Sequence, residues 1–394
     1  PSPEAESAEM KAVQSYAEQV LGFPVIGGNE IELIDNYAEM FDRIVADIDQ
    51  AEKSCQLCFY IWFTGGRAED VFDALIRAAK RGVCCRALAD GIGSKKFLKS
   101  ERARELREAG IELTTALPVG LLRSFFVRRD LRNHRKLVLI DDRIAYTGSQ
   151  NLVDPRYFKK EAGVGSWIDA LVRVTGPATV ALDAVFELDW MVETGDNCTL
   201  PELEEVPQTD HEKAPSQVVP SGPDREPQAI HQLLLTSLYA AEEEIVMTTP
   251  YFVPDAAILT ALYSAARRGV RVNLIVPKQN DSFLVRYASV AHFDELLSAG
   301  VTISLFEGGL LHTKSLLIDN KLSIFGSVNL DMRSLWLNFE ISLFIYDHAF
   351  AFQLHSLQQK YLASCETLHL NEWRERPAHQ RFLEDTIRLT SPLL

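Results

Sequence analysis

The chain lacks any uninterrupted apolar run near the roughly 18 residues that a membrane-spanning helix needs. It also lacks a signal-peptide pattern at its start. It begins at Pro1 rather than Met, which leads us to expect a trimmed form of a longer parent. Positive charge is scarce. Against 40 Lys and Arg stand 55 Asp and Glu, and the net charge of −15 is the wrong balance for a general nucleic-acid binder. Six cysteines (55, 58, 84, 85, 198 and 365) follow no disulfide framework and, in a chain of this size, fit a reducing compartment. Cys55-x-x-Cys58 has no second ligand pair beside it and reads as core strand rather than metal or redox site. What remains is 47% hydrophobic with mixed charge, the composition of a globular chain of 394 residues with room for two or three domains.

One pattern occurs twice. His134-x-Lys136 followed by Gly148-Ser149-x-Asn151 recurs as His312-x-Lys314 followed by Gly326-Ser327-x-Asn329, at a constant offset of 178 residues. The repeat extends upstream, where Ala78-Ala79-Lys80-Arg81-Gly82-Val83 is matched by Ala265-Ala266-Arg267-Arg268-Gly269-Val270. Both words end a helical pattern and precede an apolar strand. Such self-similarity means duplication, and one site built from two related halves. Strands alternating with helices predict an α/β fold with a largely parallel or mixed sheet in each half. The expected division is an amphipathic helical segment over 1–24, a first α/β domain over 25–195, a Pro- and acid-rich linker over 196–216 and a second domain over 217–394. Val218-Val219 would open the second half.

The copies differ in one place. From Gly110 to His134 is 24 positions, against 12 from Gly300 to His312, so the first half carries an insertion before its motif. It contains Leu121, Leu122, Arg123, Phe125, Phe126, Arg128 and Arg129, with Arg132 and Arg135 following. Apolar and aromatic side chains among arginines form the pattern of a segment dipping into an anionic lipid interface, and a solvated loop is the alternative. Lys95, Lys96 and Lys99 would extend the basic face.

Alternation along a strand puts His134 and Lys136 on one face, and His312 and Lys314 likewise. Asp141 and Asp319 have the other parity and sit at hairpin turns, so fixing the turn is their first expected role and catalysis their second. Ser149, Asn151, Ser327 and Asn329 can supply neutral donors around the same anion. A carboxylate is needed to hold each imidazole in one tautomer, and Asp169 and Glu340, each opening the next apolar strand, are the candidates. Paired imidazoles, ammoniums and short donors suit phosphoryl transfer by in-line displacement, the lysines doing a metal's electrostatic work. No cluster has the spacing of a metal cage.

These residues resemble the phospholipase D superfamily, whose signature His-x-Lys-x4-Asp followed by Gly-Ser-x-Asn is present twice. Longer words are similar to the A-type branch of bacterial cardiolipin synthases: Asn133-His134-Arg135-Lys136, Thr249-Pro250-Tyr251-Phe252-Val253-Pro254, Gly308-Gly309-Leu310-Leu311-His312 and Asn338-Phe339-Glu340. The resemblance implies two phospholipase D-like α/β domains related by a pseudo-twofold, with the active site between them. It implies transfer of a phosphatidyl group from one phosphatidylglycerol to another through a phosphatidyl-histidine, giving cardiolipin and glycerol without nucleotide or metal. His134 is taken as nucleophile and His312 as acid, then base; the near symmetry of the halves permits the reverse. Lys136, Lys314, Asn151 and Asn329 would grip the phosphate, with Ser149 and Ser327 in support. Arg156 and Arg333 would recognise the second headgroup, with structural ion pairing as the alternative. The implied place is the cytoplasmic membrane of a Gram-negative-type bacterium, with N-terminal transmembrane helices in the parent. A phospholipase, another phosphatidyltransferase such as a phosphatidylserine synthase, a nuclease (disfavoured by acidity) and a non-catalytic lipid-binding scaffold are the competing readings.

Overall fold

The computed structural model describes residues 8–118, 130–196, 213–224 and 226–377. The insertion residues Leu121, Leu122, Arg123, Phe125, Phe126, Arg128 and Arg129 lie outside them, as does most of the expected linker. Among the described residues no helix is long and apolar enough to cross a membrane.

Both halves build their sheets in the same order. The first sheet has seven strands, Glu30–Ile34, Leu171–Thr175, Ile144–Gly148, Lys136–Ile140, Ser54–Phe59, Cys84–Asp90 and Glu112–Ala116. The second repeats it with Ser216–Ser221, Asn338–Ile345, Leu322–Gly326, Ser315–Ile318, Glu244–Thr248, Arg271–Pro277 and Thr302–Phe306, and adds Cys365–Thr367 at its edge. The strand expected at Val218-Val219 is therefore present. In each sheet the last three of these seven strands are parallel and the others antiparallel. This is the mixed α/β architecture that the alternating pattern predicts.

The shared word Ala-Ala-Lys/Arg-Arg-Gly-Val has a local cause. Helices Arg67–Lys80 and Ala256–Arg267 both stop where Gly82 and Gly269 take φ of +90° and +96°. Val83 N–H then closes on Ala78 O, and Val270 N–H on Ala265 O, each at 3.1 Å. That is the six-to-one bond of a Schellman cap, which glycine accommodates at least cost. The chain is thereby aimed into the following parallel strand of each sheet.

The halves exchange packing elements. Met10, Val13 and Ala17 of the N-terminal helix Ala8–Leu21 bury against Ile230, Leu233 and Leu234 of the second half. Phe350, Leu354 and Leu357 of the late helix His348–Leu362 join the core that holds Ile34 and Phe41 of the first. Cys55 and Cys58 are buried in that same core, as strand residues. A core continuous across both halves fixes their relative placement, and an active site at their seam needs that rigidity.

Candidate active site

Two short parallel ladders cross the seam. Arg132–Asn133 pairs with Asn338–Phe339, and Leu310–Leu311 pairs with Trp167–Ile168. Each ends at a histidine whose N–H bonds to the opposite half, His134 to Phe339 O and His312 to Ile168 O, both at 2.8 Å. The side chains repeat the exchange. His134 Nδ1 lies 2.9 Å from both carboxylate oxygens of Glu340, and His312 Nδ1 lies 2.7 Å from Asp169 Oδ1. Every imidazole is thus held by a carboxylate from the other half, with Nε2 left as its remaining ring nitrogen. Lys136 and Lys314 each donate to the carbonyl of the histidine two residues before.

The glycine of each Gly-Ser-x-Asn word permits this closeness. A Cβ on Gly148 would stand 2.6 Å from Ala170 O, and one on Gly326 would stand 2.3 Å from Ile341 O. With glycine there, the next strand comes in and its carboxylate is pinned. Ser149 Oγ accepts from Ala170 N–H at 3.1 Å, and Ser327 Oγ accepts from Ile341 N–H at 2.9 Å while donating to Glu340 Oε2. The serines therefore secure the strands of Asp169 and Glu340, where sequence reasoning had them facing the phosphate. Asn151 Oδ1 accepts from Ile61 N–H, which leaves its buried Nδ2 without a partner among the described residues. Asn329 turns its amide toward Asp331 and keeps a buried Oδ1 without one.

The electrostatics are those of a site prepared for an anion. Burial drives both imidazoles down to about 4, against the opposing pull of Glu340 on His134 and of Asp169 on His312. Burial also lowers Lys136 to about 8 and Lys314 to about 7. Glu340 and Asp169 would rise on burial alone, but their histidines, the lysines and the serines hold both below ordinary carboxylate values. The halves also act on each other, since Lys314 depresses His134 and Lys136 depresses His312. An arriving phosphodiester anion would relieve the two ammoniums and favour protonation of one imidazole. The arrangement can offer a neutral nucleophile, a proton carrier and two cations around one phosphorus.

A model of the family described as "Cardiolipin synthase, PLD-like domain" matches residues 44–190 and 234–361, one histidine–lysine pair in each. The chain belongs to this family. The family's relatives include cardiolipin synthase A of Proteus mirabilis (strain HI4320), 48% identical over 375 residues, which are 95% of this chain and 77% of that protein. Cardiolipin synthase A of Pectobacterium carotovorum subsp. carotovorum (strain PC1) is 46% identical over 97% of this chain and 79% of its own length. Among solved structures, the phosphatidylserine synthase of Haemophilus influenzae Rd KW20 superposes with a TM-score of 0.73 at 15% identity, covering 97% of this chain and all of that one. The polyphosphate kinase of Porphyromonas gingivalis gives 0.56 at 15% identity, over 99% of this chain and 57% of that one. At such identity both superpositions speak to the fold alone. The chain is an enzyme of the phospholipase D superfamily.

Within this phospholipase D frame several expected site residues move outside the chemistry. Asp141 accepts from the N–H groups of Glu52, Lys53 and Ser54, and Asp319 from those of Glu242, Glu243 and Glu244. Both have positive φ, 54° and 52°, in the turns that reverse each hairpin. Seven residues of extended chain, roughly 20 Å or more, separate them from the histidines. They tie the hairpin to the neighbouring strand and are not catalytic. Arg156 chelates Asp154 on the exterior against Tyr37 and Tyr157, so the ion-pair alternative holds there. Arg333 is different: it donates to Asp130 O and its charge acts on Tyr60, beside His134. Arg132 and Arg135, counted with the basic insertion, are buried against Asp90 and Asp189.

Other side chains at the site escaped sequence reasoning. Tyr60 stands edge-on to His134 with ring centroids 5.0 Å apart, and Trp167 tilts over His312 at 4.3 Å. Trp167 is buried, and its Nε1 has no partner among the described residues. Asn338 Nδ2 donates to Glu340 Oε1 at 3.2 Å. Asn338 fell within a resembling word, whereas an aromatic such as Tyr60, ending an apolar strand, is ordinarily core.

Proposed function

We propose that the chain is a cardiolipin synthase, with 25–195 and 217–394 as its two lobes and a phosphatidyl-histidine between its half-reactions. Nε2 of His134 attacks the phosphorus of one phosphatidylglycerol. The phosphorus–oxygen bond to the terminal glycerol breaks, and His312 gives that oxygen a proton. His312 then takes the proton from the glycerol hydroxyl of a second phosphatidylglycerol, whose oxygen attacks the phosphorus. The phosphorus–nitrogen bond breaks and His134 is regenerated. Lys136, Lys314 and the Asn151 amide stabilise the charge that grows on the equatorial oxygens. The carrying observation is the reciprocal exchange, His134 with Glu340 and His312 with Asp169, which orients two imidazoles toward one anion. The substrates place the enzyme at an anionic membrane, the bacterial cytoplasmic membrane in this reading.

The test is incubation with phosphatidylglycerol alone in EDTA, products separated by mass. Cardiolipin with equimolar glycerol is the expected outcome. Phosphatidic acid as sole product would make the enzyme a hydrolase, and product only on adding serine would make it a phosphatidylserine synthase.

A pH profile follows from the lowered groups. Lys314 at about 7 and Lys136 at about 8 lose their protons in the free enzyme as pH rises, and the site loses attraction for the phosphate. We expect kcat/KM on dispersed substrate to fall from about pH 7 upward. The alkaline limb of kcat should lie higher, because bound phosphate restores the lysine protons. A kcat/KM flat to pH 9.5 would contradict the anion-prepared site.

A further inference from the structure

Outside the catalytic groups, the turn and short helix that follow the central strand of each parallel trio, Lys95–Leu98 in one half and Phe283–Val290 in the other, carry an exposed aliphatic residue beside cations. After Cys84–Asp90, Ile92 is 46% exposed, and Lys95, Lys96 and Lys99 are all exposed. After Arg271–Pro277, Leu284 is 47% exposed and Arg286 is exposed. None of these four cations has a carboxylate partner among the described residues, in a chain whose net charge is −15. Cations without carboxylate partners next to exposed aliphatics are favourable against an anionic bilayer, which takes up both.

Both turns are fastened to the walls of the site. Asp90 accepts from the N–H groups of Ile92 and Gly93 and also from Asn133, the residue before His134. Ser94 Oγ donates to Tyr60 O at 2.8 Å, and Tyr60 is the ring edge-on to His134. On the other side, Asn280 Nδ2 donates to Pro250 O and Tyr251 Oη to Asp281 Oδ1, at 2.8 and 2.9 Å. Tyr251 in turn lies within electrostatic reach of Tyr60. Each segment is therefore tied to a tyrosine, and the two tyrosines, one from each half, lie within electrostatic reach of each other beside His134.

We propose that these two turns form a membrane-docking rim that seats the active-site mouth on an anionic phospholipid surface, with Ile92 and Leu284 entering the interface and Lys95, Lys96, Lys99 and Arg286 facing headgroup phosphates. The inference rests on the lipid-transfer reading for the nature of the partner. It does not involve the insertion that precedes His134. The rim explains how a strongly acidic protein approaches an acidic surface in one orientation: its repulsive remainder is turned away, and lipid reaches the histidines without leaving the bilayer far behind.

The experiment is flotation of this chain with vesicles of phosphatidylglycerol and phosphatidylcholine, alongside vesicles of phosphatidylcholine alone, at several salt concentrations. A lysine near such a surface contributes about fivefold in affinity, so Lys95→Gln/Lys96→Gln/Lys99→Gln should bind anionic vesicles roughly 100-fold more weakly. Ile92→Asp/Leu284→Asp should also weaken binding, at least tenfold, and wild-type affinity should fall with salt. Turnover of detergent-dispersed phosphatidylglycerol should stay within about twofold in both variants, which also reports that they are folded. Wild-type-like vesicle affinity in both variants, or equal wild-type affinity for neutral vesicles, would overturn the docking rim. Binding is read without turnover, so failure of the transfer chemistry and failure of the docking rim are told apart.

Discussion

His134→Ala and His312→Ala should each lower cardiolipin formation by about 10⁴-fold or more, and the double variant should be scarcely worse than either. Groups that act as a unit lose the whole step when one is removed, so the penalties do not add. The fold should survive. Each imidazole is neutral with its pKa near 4, so its removal costs Glu340 or Asp169 a hydrogen bond and not an ion pair, about 1.5–3 kcal/mol. Glu340 keeps Ser327 and Asn338, and Asp169 keeps Ser149 beside it. Melting curves should therefore shift by a few degrees at most while turnover disappears. Additive losses, or measurable turnover in either single variant, would mean that the histidines serve separate sites.

The second large effect comes from changing a carboxylate in one half and losing the histidine of the other. In Glu340→Gln the amide can turn an N–H toward His134 Nδ1 and favour the wrong tautomer, as it can in Asp169→Asn for His312. We expect about 10³- to 10⁴-fold loss of kcat in each, with little change in KM. Stability should fall modestly, because both carboxylates are held below their ordinary values and their charged forms favour the folded state. An orienting role is told from a structural one by the tautomer of the opposing histidine, which a merely structural carboxylate would leave unchanged. Imidazole nitrogen resonances of the resting enzyme report it. In Glu340→Gln those of His134 should show the changed tautomer while those of His312 stay put.

Much of this was readable from residues alone, for identifiable reasons. The duplicated words follow from duplicated geometry: a Schellman cap at Gly82 and Gly269, a close strand approach at Gly148 and Gly326, a left-handed turn at Asp141 and Asp319. Each demands particular residue types at fixed spacing, so each leaves a local mark. Strand parity placed His134 with Lys136 and set Asp141 apart, and the structure follows parity over motif membership. What spacing could not reveal is which half a face meets. The pairing of His134 with Glu340 depends on how two whole sheets pack, as does the burial of Met10 and Val13 against the second half. Arg156 shows the same limit, because its partner Asp154 is two residues away and captures it before any headgroup could. Ser149 and Ser327 were assigned to the phosphate by chemistry, yet the strand brought in by the preceding glycine claims their hydroxyls.

The central claim is one phosphorus passed through one histidine between two lobes. Phosphatidylglycerol labelled at phosphorus, mixed with enzyme for a single turnover, quenched in alkali and followed by peptide mapping, addresses it directly. The expected result is label on the peptide of His134, held by a bond that survives alkali and breaks in acid, absent in His134→Ala. It should be discharged into cardiolipin by added unlabelled phosphatidylglycerol. Full-rate product formation with no protein-bound label at any time point would contradict the covalent route and the site geometry built on it.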